Sequence, residues 1–111
     1  AYIRQRLRER SPETWPSFET CAEELGLSLS TLRRRLRGEG TSYRALKDHV
    51  RRDMALHQLT QTRRSVADIA TQLGFAEASA FHRAFRQWTG VSPGDYRAAT
   101  RATLAKPEQD G

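Results

Sequence analysis

The feature that most constrains this chain is an internal repeat. Residues 22–27 read Ala-Glu-Glu-Leu-Gly-Leu and residues 70–75 read Ala-Thr-Gln-Leu-Gly-Phe, a shift of 48. After one inserted residue the match continues at a shift of 49. Ser30, Thr31, Leu32, Arg34, Leu36 and Arg37 then face Ser79, Ala80, Phe81, Arg83, Phe85 and Arg86. A further slip of one aligns Gly40 and Ser42 with Gly90 and Ser92. Two copies are too few for a solenoid, which needs at least three repeats to bury its core. They suit a pair of pseudo-symmetric units, each reading as helix, tight turn, helix.

In the first unit Phe18, Cys21, Ala22 and Leu25 recur at helical spacing, after a candidate N-cap at Ser17. Gly26 supplies the left-handed stop and Ser28 the next cap, with Leu29, Leu32 and Leu36 expected as the buried stripe. In the second unit Ser65 and Asp68 resemble a capping box. Val66, Ile69, Ala70 and Leu73 form the apolar face, Gly74 the stop, and Ala78, Phe81, Phe85 and Trp88 the following stripe, ended by Gly90. Pro93 then opens a short final helix. Between the units, residues 42–61 hold no Gly or Pro and read as one long helix whose apolar stripe changes side. Tyr43, Leu46, Val50 and Met54 fall on one side, and Ala55, Leu56 and Leu59 on the other. Ile3 and Leu7 mark a short first helix, broken at Ser11-Pro12. The expected fold is all-α with seven helices and no strand. The first helix-turn-helix unit covers residues 1–41, a linker helix 42–62, and the second unit 63–99, followed by a flexible tail over 100–111.

Composition narrows the partner. The chain has 111 residues, a net charge of +6, and 19 basic residues of which 17 are arginines. Arginine binds phosphate and guanine edges through two parallel hydrogen bonds, so a polyanion is the first expectation. No run approaches the ~18 apolar residues of a membrane span. One cysteine, Cys21, gives neither a disulfide framework nor a cysteine-based metal site, and its helical position marks it as core. His49 and His57 are eight residues apart on one helix, roughly 12 Å, too far to share a metal. No phosphate-binding loop, nucleophile–histidine set or paired carboxylates can be argued, so no catalytic residue, cofactor or metal is expected.

A helix-turn-helix places its second helix in the DNA major groove. On a helical wheel Ser30, Thr31, Arg34 and Arg37 lie opposite the Leu32 side, flanked by Arg33 and Arg35. In the second unit Ser79, Ala80, Arg83 and Arg86 take the equivalent places, with His82 in that of Arg33. Taken alone, the arginine run from Arg33 to Arg37 is as well explained as a solvated helix face. The same outward arginine pair behind the same glycine turn in both units is what points to DNA.

At these residues the chain resembles the DNA-binding domain of AraC/XylS-type transcriptional regulators. The resemblance lies in Ala22-x-x-Leu25-Gly26-Leu27-Ser28, Leu32-x-Arg34-x-Leu36 and Gly40-Thr41-Ser42-Tyr43. It continues through Ile69-Ala70-x-x-Leu73-Gly74-Phe75 and the run from Ser79 to Trp88, then Gly90-x-Ser92-Pro93-x-x-Tyr96-Arg97. It implies two recognition helices, about 28–38 and 77–89, in successive major grooves. It puts base contacts at Ser30, Arg33 and Arg34, and at Ala78, Ser79, Ala80, His82 and Arg83, although the wheel turns Ala78 toward the core. Ala78 and Ala80 offer no hydrogen bonds, so the first unit is expected to dominate discrimination, with Arg83 and Arg86 gripping in the second. The family also implies a bacterial, cytoplasmic setting at the nucleoid, promoter or operator duplex as partner, RNA polymerase contact as an activator, and a separate effector-binding or dimerisation domain. A start at Ala1 without Met agrees with a piece of such a longer protein. Other classes stay open on the sequence. They are a non-specific architectural or RNA-binding module, a domain attached to a DNA-repair enzyme, and a membrane-surface role, disfavoured because acids interleave with the bases.

Overall fold

The computed structural model describes the backbone of residues 2–110 and side chains as far as residue 102. It is all-helical over that range: α1 (Tyr2–Arg8), a single 3₁₀ turn (Pro12–Thr14), α2 (Phe18–Leu25), α3 (Leu29–Gly38), α4 (Tyr43–Gln61), α5 (Val66–Gln72), α6 (Ala78–Thr89) and α7 (Pro93–Asp110). The seven-helix, all-α expectation therefore holds among the described residues. Two compact units divide the chain, one ending at Arg51 and the other starting at Arg52. The division falls inside α4, so the first part of that helix belongs to one unit and the second part to the other.

In the first unit Ile3, Leu7, Cys21, Ala22, Leu32, Leu36, Tyr43, Leu46 and Val50 are buried. The Trp15 indole N–H donates to the Leu7 carbonyl at 2.9 Å, and the Arg51 guanidinium lies 4.9 Å from the Trp15 ring centroid. The loop ahead of α2 is thus pinned to α1. In the second unit Ala55, Leu59, Ile69, Ala70, Leu73, Phe81 and Phe85 form the core, with Met54, Leu56, Val66, Phe75, Trp88 and Tyr96 packed around it. Phe85 meets Phe81, Trp88 and Tyr96 edge to face at 5.6–6.3 Å, the offset geometry that ring quadrupoles favour. Arg97 closes the end of α4. Its Nε donates to the Leu59 carbonyl at 3.1 Å, and its Nη2 to the Thr62 and Gln58 carbonyls at 3.4 and 3.5 Å, tying α7 to the C-terminal end of α4, where a helix's last carbonyls lack intrahelical donors.

Three expectations require correction. Leu29 is 38% exposed and Ala78 is exposed, where both were placed in buried stripes. They occupy equivalent places in the repeat, each the first residue of its helix. A helical side chain leans over the turn preceding its own Cα, and at a first position that turn is the exposed loop. Met54 packs against the second core, whereas the wheel grouped it with Tyr43, Leu46 and Val50. Four residues carry the helix about 6 Å along its axis, and the division between the units falls within that stretch, at Arg51 and Arg52. The final helix is not short, since its backbone continues to Asp110. The flexible tail expected over residues 100–111 falls largely on side chains outside the described residues.

Candidate nucleic-acid interface

Each unit leads into its second helix through a serine-capped first helix and a glycine turn. In the first, the Ser17 hydroxyl caps α2 by accepting the Thr20 N–H, and α2 stops at Gly26, whose φ of +70° lies in the left-handed region. The Leu27 N–H returns to the Ala22 carbonyl at 2.9 Å, the six-to-one bond of a Schellman turn. Ser28 then caps α3 by accepting the Thr31 N–H. In the second, Ser65 caps α5, Gly74 takes φ +89°, and the Phe75 N–H returns to the Ala70 carbonyl at 3.0 Å. The two turns close with bonds 48 residues apart, the period of the repeat. The inserted residue falls in the second turn. Only Gly26, Leu27 and Ser28 separate α2 from α3, whereas residues 73–77 separate α5 from α6.

The anticipated contact residues divide by what already holds them. On α3, Ser30, Arg33, Arg34 and Arg37 are exposed. Arg33 leans over the Phe18 ring, 5.4 Å from its centroid, which fixes its stem while leaving its donors outward. Thr31 is half-buried and accepts from the Ser28 hydroxyl at 2.9 Å, so it serves the cap as well as the surface. On α6, Ser79, Arg83 and Arg86 are exposed, while Ala80 and His82 are half-buried. His82 sits edge-on to the Phe81 ring at 6.4 Å. Among the described residues no side-chain hydrogen bond or ion pair engages the guanidinium of Arg34, Arg83 or Arg86.

Sequence patterning overlooked part of the surface. An open cleft of the first unit is lined by Arg33, Arg37, Arg44 and Lys47, beside Thr41 and Ser42. Lys47 lies 4.8 Å from the Tyr43 ring centroid. Four cations around one opening concentrate positive charge there. Arg44 and Lys47 belong to α4, outside the repeat, so no symmetry signal marked them. Glu77 was also overlooked. It occupies the N-cap position of α6, but its side chain makes no cap bond, and its carboxylate accepts from the Ser79 hydroxyl at 3.2 Å.

These two units, each with an exposed arginine face behind a glycine turn, are the architecture that comparison with known proteins identifies. A helix-turn-helix domain family matches residues 21–99, and the chain belongs to that family in its AraC-type form, the DNA-binding domain of transcriptional regulators. The ornithine utilization regulator of Pseudomonas aeruginosa is 45% identical over 95 residues, 86% of this chain but 28% of that protein. Among solved structures, the DNA-binding domain of AdpA in complex with a target DNA is 29% identical, with a TM-score of 0.78, covering 95% of this chain and 91% of that one. A DNA-binding transcriptional dual regulator of Escherichia coli K-12 is 27% identical with a TM-score of 0.81, covering 90% and 93%. The chain thus spans under a third of the regulator's length yet nearly all of a DNA-binding domain. No helix among the described residues is long and apolar enough to cross a membrane.

Proposed function

We propose that this chain is the sequence-reading part of a larger bacterial transcription regulator, with α3 and α6 each entering a major groove of duplex DNA at a promoter or operator. The observation that carries the reading is the repeated outward face: Ser30, Arg33, Arg34 and Arg37 on α3, and Ser79, Arg83 and Arg86 on α6, all exposed. Serine at a helix start lets the backbone approach base edges, and arginine further along reaches guanine O6 and N7 or phosphate. Thr31, Ala80 and His82 take supporting places, Ala80 offering a methyl surface to thymine. Lys47 and Arg44 add phosphate contacts that position without reading sequence. The relative found with its target DNA supports the groove assignment. Effector binding or dimerisation belongs to the rest of the regulator, and activation to contact with RNA polymerase in the bacterial cytoplasm. The reading assigns this chain no catalytic role.

The test is selection of bound duplexes from a random library at near-physiological salt. An enriched asymmetric motif with two blocks about 10–10.5 bp apart is expected. Arg34→Ala and Arg83→Ala should each weaken specific binding by about 1–3 kcal/mol. Binding without enrichment would replace this reading with a non-specific module, and unchanged affinity in both variants would remove the groove assignment.

A further inference from the structure

Among the described residues, five helices begin on a serine whose hydroxyl accepts the N–H three residues on. Ser17, Ser28, Ser42, Ser65 and Ser92 receive Thr20, Thr31, Ala45, Asp68 and Asp95 at 3.0–3.1 Å. Helix α6 is different. At the place the repeat matches to Ser28 stands Glu77, with the extended backbone of an N-cap (φ −139°, ψ 149°) but no side-chain cap bond. Glutamate is one methylene too long for the short loop that serine and aspartate close, and it is absent from the favoured N-cap residues. A recognition helix without its cap is a local loss of stability at the surface offered to DNA. Such losses are characteristic of positions kept for function.

The carboxylate is not idle. Its Oε2 accepts the Ser79 hydroxyl proton at 3.2 Å, and both residues are exposed. A simple charge–dipole role would also favour an acid here, but it would not engage Ser79. The bond spends the serine's only donor. Ser79 can then offer a ligand only lone pairs, and so can the carboxylate. At the start of α6 these two side chains therefore present acceptors alone, beside the first-turn backbone N–H groups that any helix start exposes, on a helix that is otherwise cationic through Arg83 and Arg86. The carboxylate itself repels phosphate. Of the groups a major groove displays, only the amino groups of cytosine and adenine can donate to it. Adenine places its N7 acceptor beside the amino group, where it opposes a carboxylate; cytosine does not, and carboxylates accordingly pair with cytosine N4.

We infer that Glu77, held by Ser79, is a specificity-determining residue of the second unit that accepts from the exocyclic amino group of a cytosine. The inference rests on α6 lying in a groove, as proposed above. It gives the second unit hydrogen-bonded discrimination that Ala78 and Ala80 do not provide. It also explains the missing cap as an exchange of helix stability for base reading.

The experiment repeats the library selection with the unaltered chain, Glu77→Gln and Glu77→Ser. Serine restores the cap, so Glu77→Ser should melt at the same or a higher temperature, and a lost preference cannot then be ascribed to unfolding. The unaltered chain should favour cytosine at one position of the block read by α6 by roughly tenfold. Glu77→Ser should lose that preference. Glu77→Gln should move it toward adenine, whose N6 and N7 match an amide, while the α3 block stays the same in all three. If the three proteins enrich the same bases in both blocks, Glu77 does not read DNA, and this inference fails while the two-groove reading stands. The same holds if Glu77→Ser only binds every sequence more tightly. If the unaltered chain enriches nothing, both fail together.

Discussion

Tyr43 shows how much one side chain settles in the first unit. Its ring is buried, 5.7 Å from that of Phe18, and its hydroxyl donates to the Pro16 carbonyl at 2.6 Å. The start of α4 is thereby tied to the loop preceding α2, across 27 residues of sequence. Burial pushes the phenol up to about 12. In the unfolded chain it ionises near 10, so between those values the unfolded state releases a proton that the folded state keeps. Stability from this group is full below pH 10 and is lost as pH rises toward 12. Tyr43→Phe should cost about 1–2 kcal/mol at pH 8, by leaving the Pro16 carbonyl without its donor. It should also flatten the alkaline loss relative to the unaltered chain. Urea unfolding at pH 8, 10 and 11.5 measures both, and parallel curves would show that the phenol does not govern that range. The apolar stripe in the sequence put Tyr43 in the core. Its hydroxyl partner could not be seen there, because Pro16 is brought near only by folding.

At the scale of the helix and its turn, local chemistry dominates. Gly26 holds φ +70°, and a Cβ added there would meet nothing within 4 Å. The cost of Gly26→Ala is therefore backbone strain alone, about 1–2 kcal/mol. Gly38 lies in the last turn of α3 without a positive φ, and a Cβ there is equally unopposed. Gly38→Ala should hold or raise stability, because alanine loses less backbone freedom on folding. Thermal melts of the pair should move in opposite directions or leave only Gly26→Ala shifted. A similar drop in both would mean that the turn conformation is not what glycine supplies. Both glycine stops on the way to the recognition helices, and the serine caps at Ser17, Ser28 and Ser65, were readable from sequence, since each depends on residues within five of one another. Leu29 and Ala78 were misread for the converse reason: the wheel extends a periodic face to a position that has no preceding helical turn to cover.

For the molecule as a whole, the relevant quantity is charge and where it gathers. The net +6 makes DNA affinity fall with salt, by close to one unit of log–log slope for each phosphate engaged. Arg44 and Lys47 share a cleft with Arg33 and Arg37, so the double variant Arg44→Ala/Lys47→Ala should shallow that slope by about 1–2 while leaving the selected motif as it was. Titrations from 50 to 300 mM salt decide this. An unchanged slope would put the cleft off the DNA, and a changed motif would make it a base-reading site. The total of basic residues was evident from composition. Their assembly around one opening was not, because α3 and α4 contribute to it from separate stretches of chain.

The sequence by itself determined the two-unit organisation, the positions of the helices, the glycine turns, most of the apolar cores, and the outward arginines on α3 and α6. Each of these is written in short-range periodicity or in a backbone preference that acts within a few residues. Only the tertiary structure decided that the division of α4 falls between Arg51 and Arg52, that Arg97 caps the end of α4, that Tyr43 holds Pro16, and that Arg44 and Lys47 join the basic cleft. These contacts pair groups distant in sequence, or depend on where a core physically ends, and no periodicity encodes either. The pairing of Glu77 with Ser79 is local, yet it also needed coordinates. The repeat register sets Glu77 against the Ser28 cap, a substitution that patterning passed over, and only geometry shows where the carboxylate has gone.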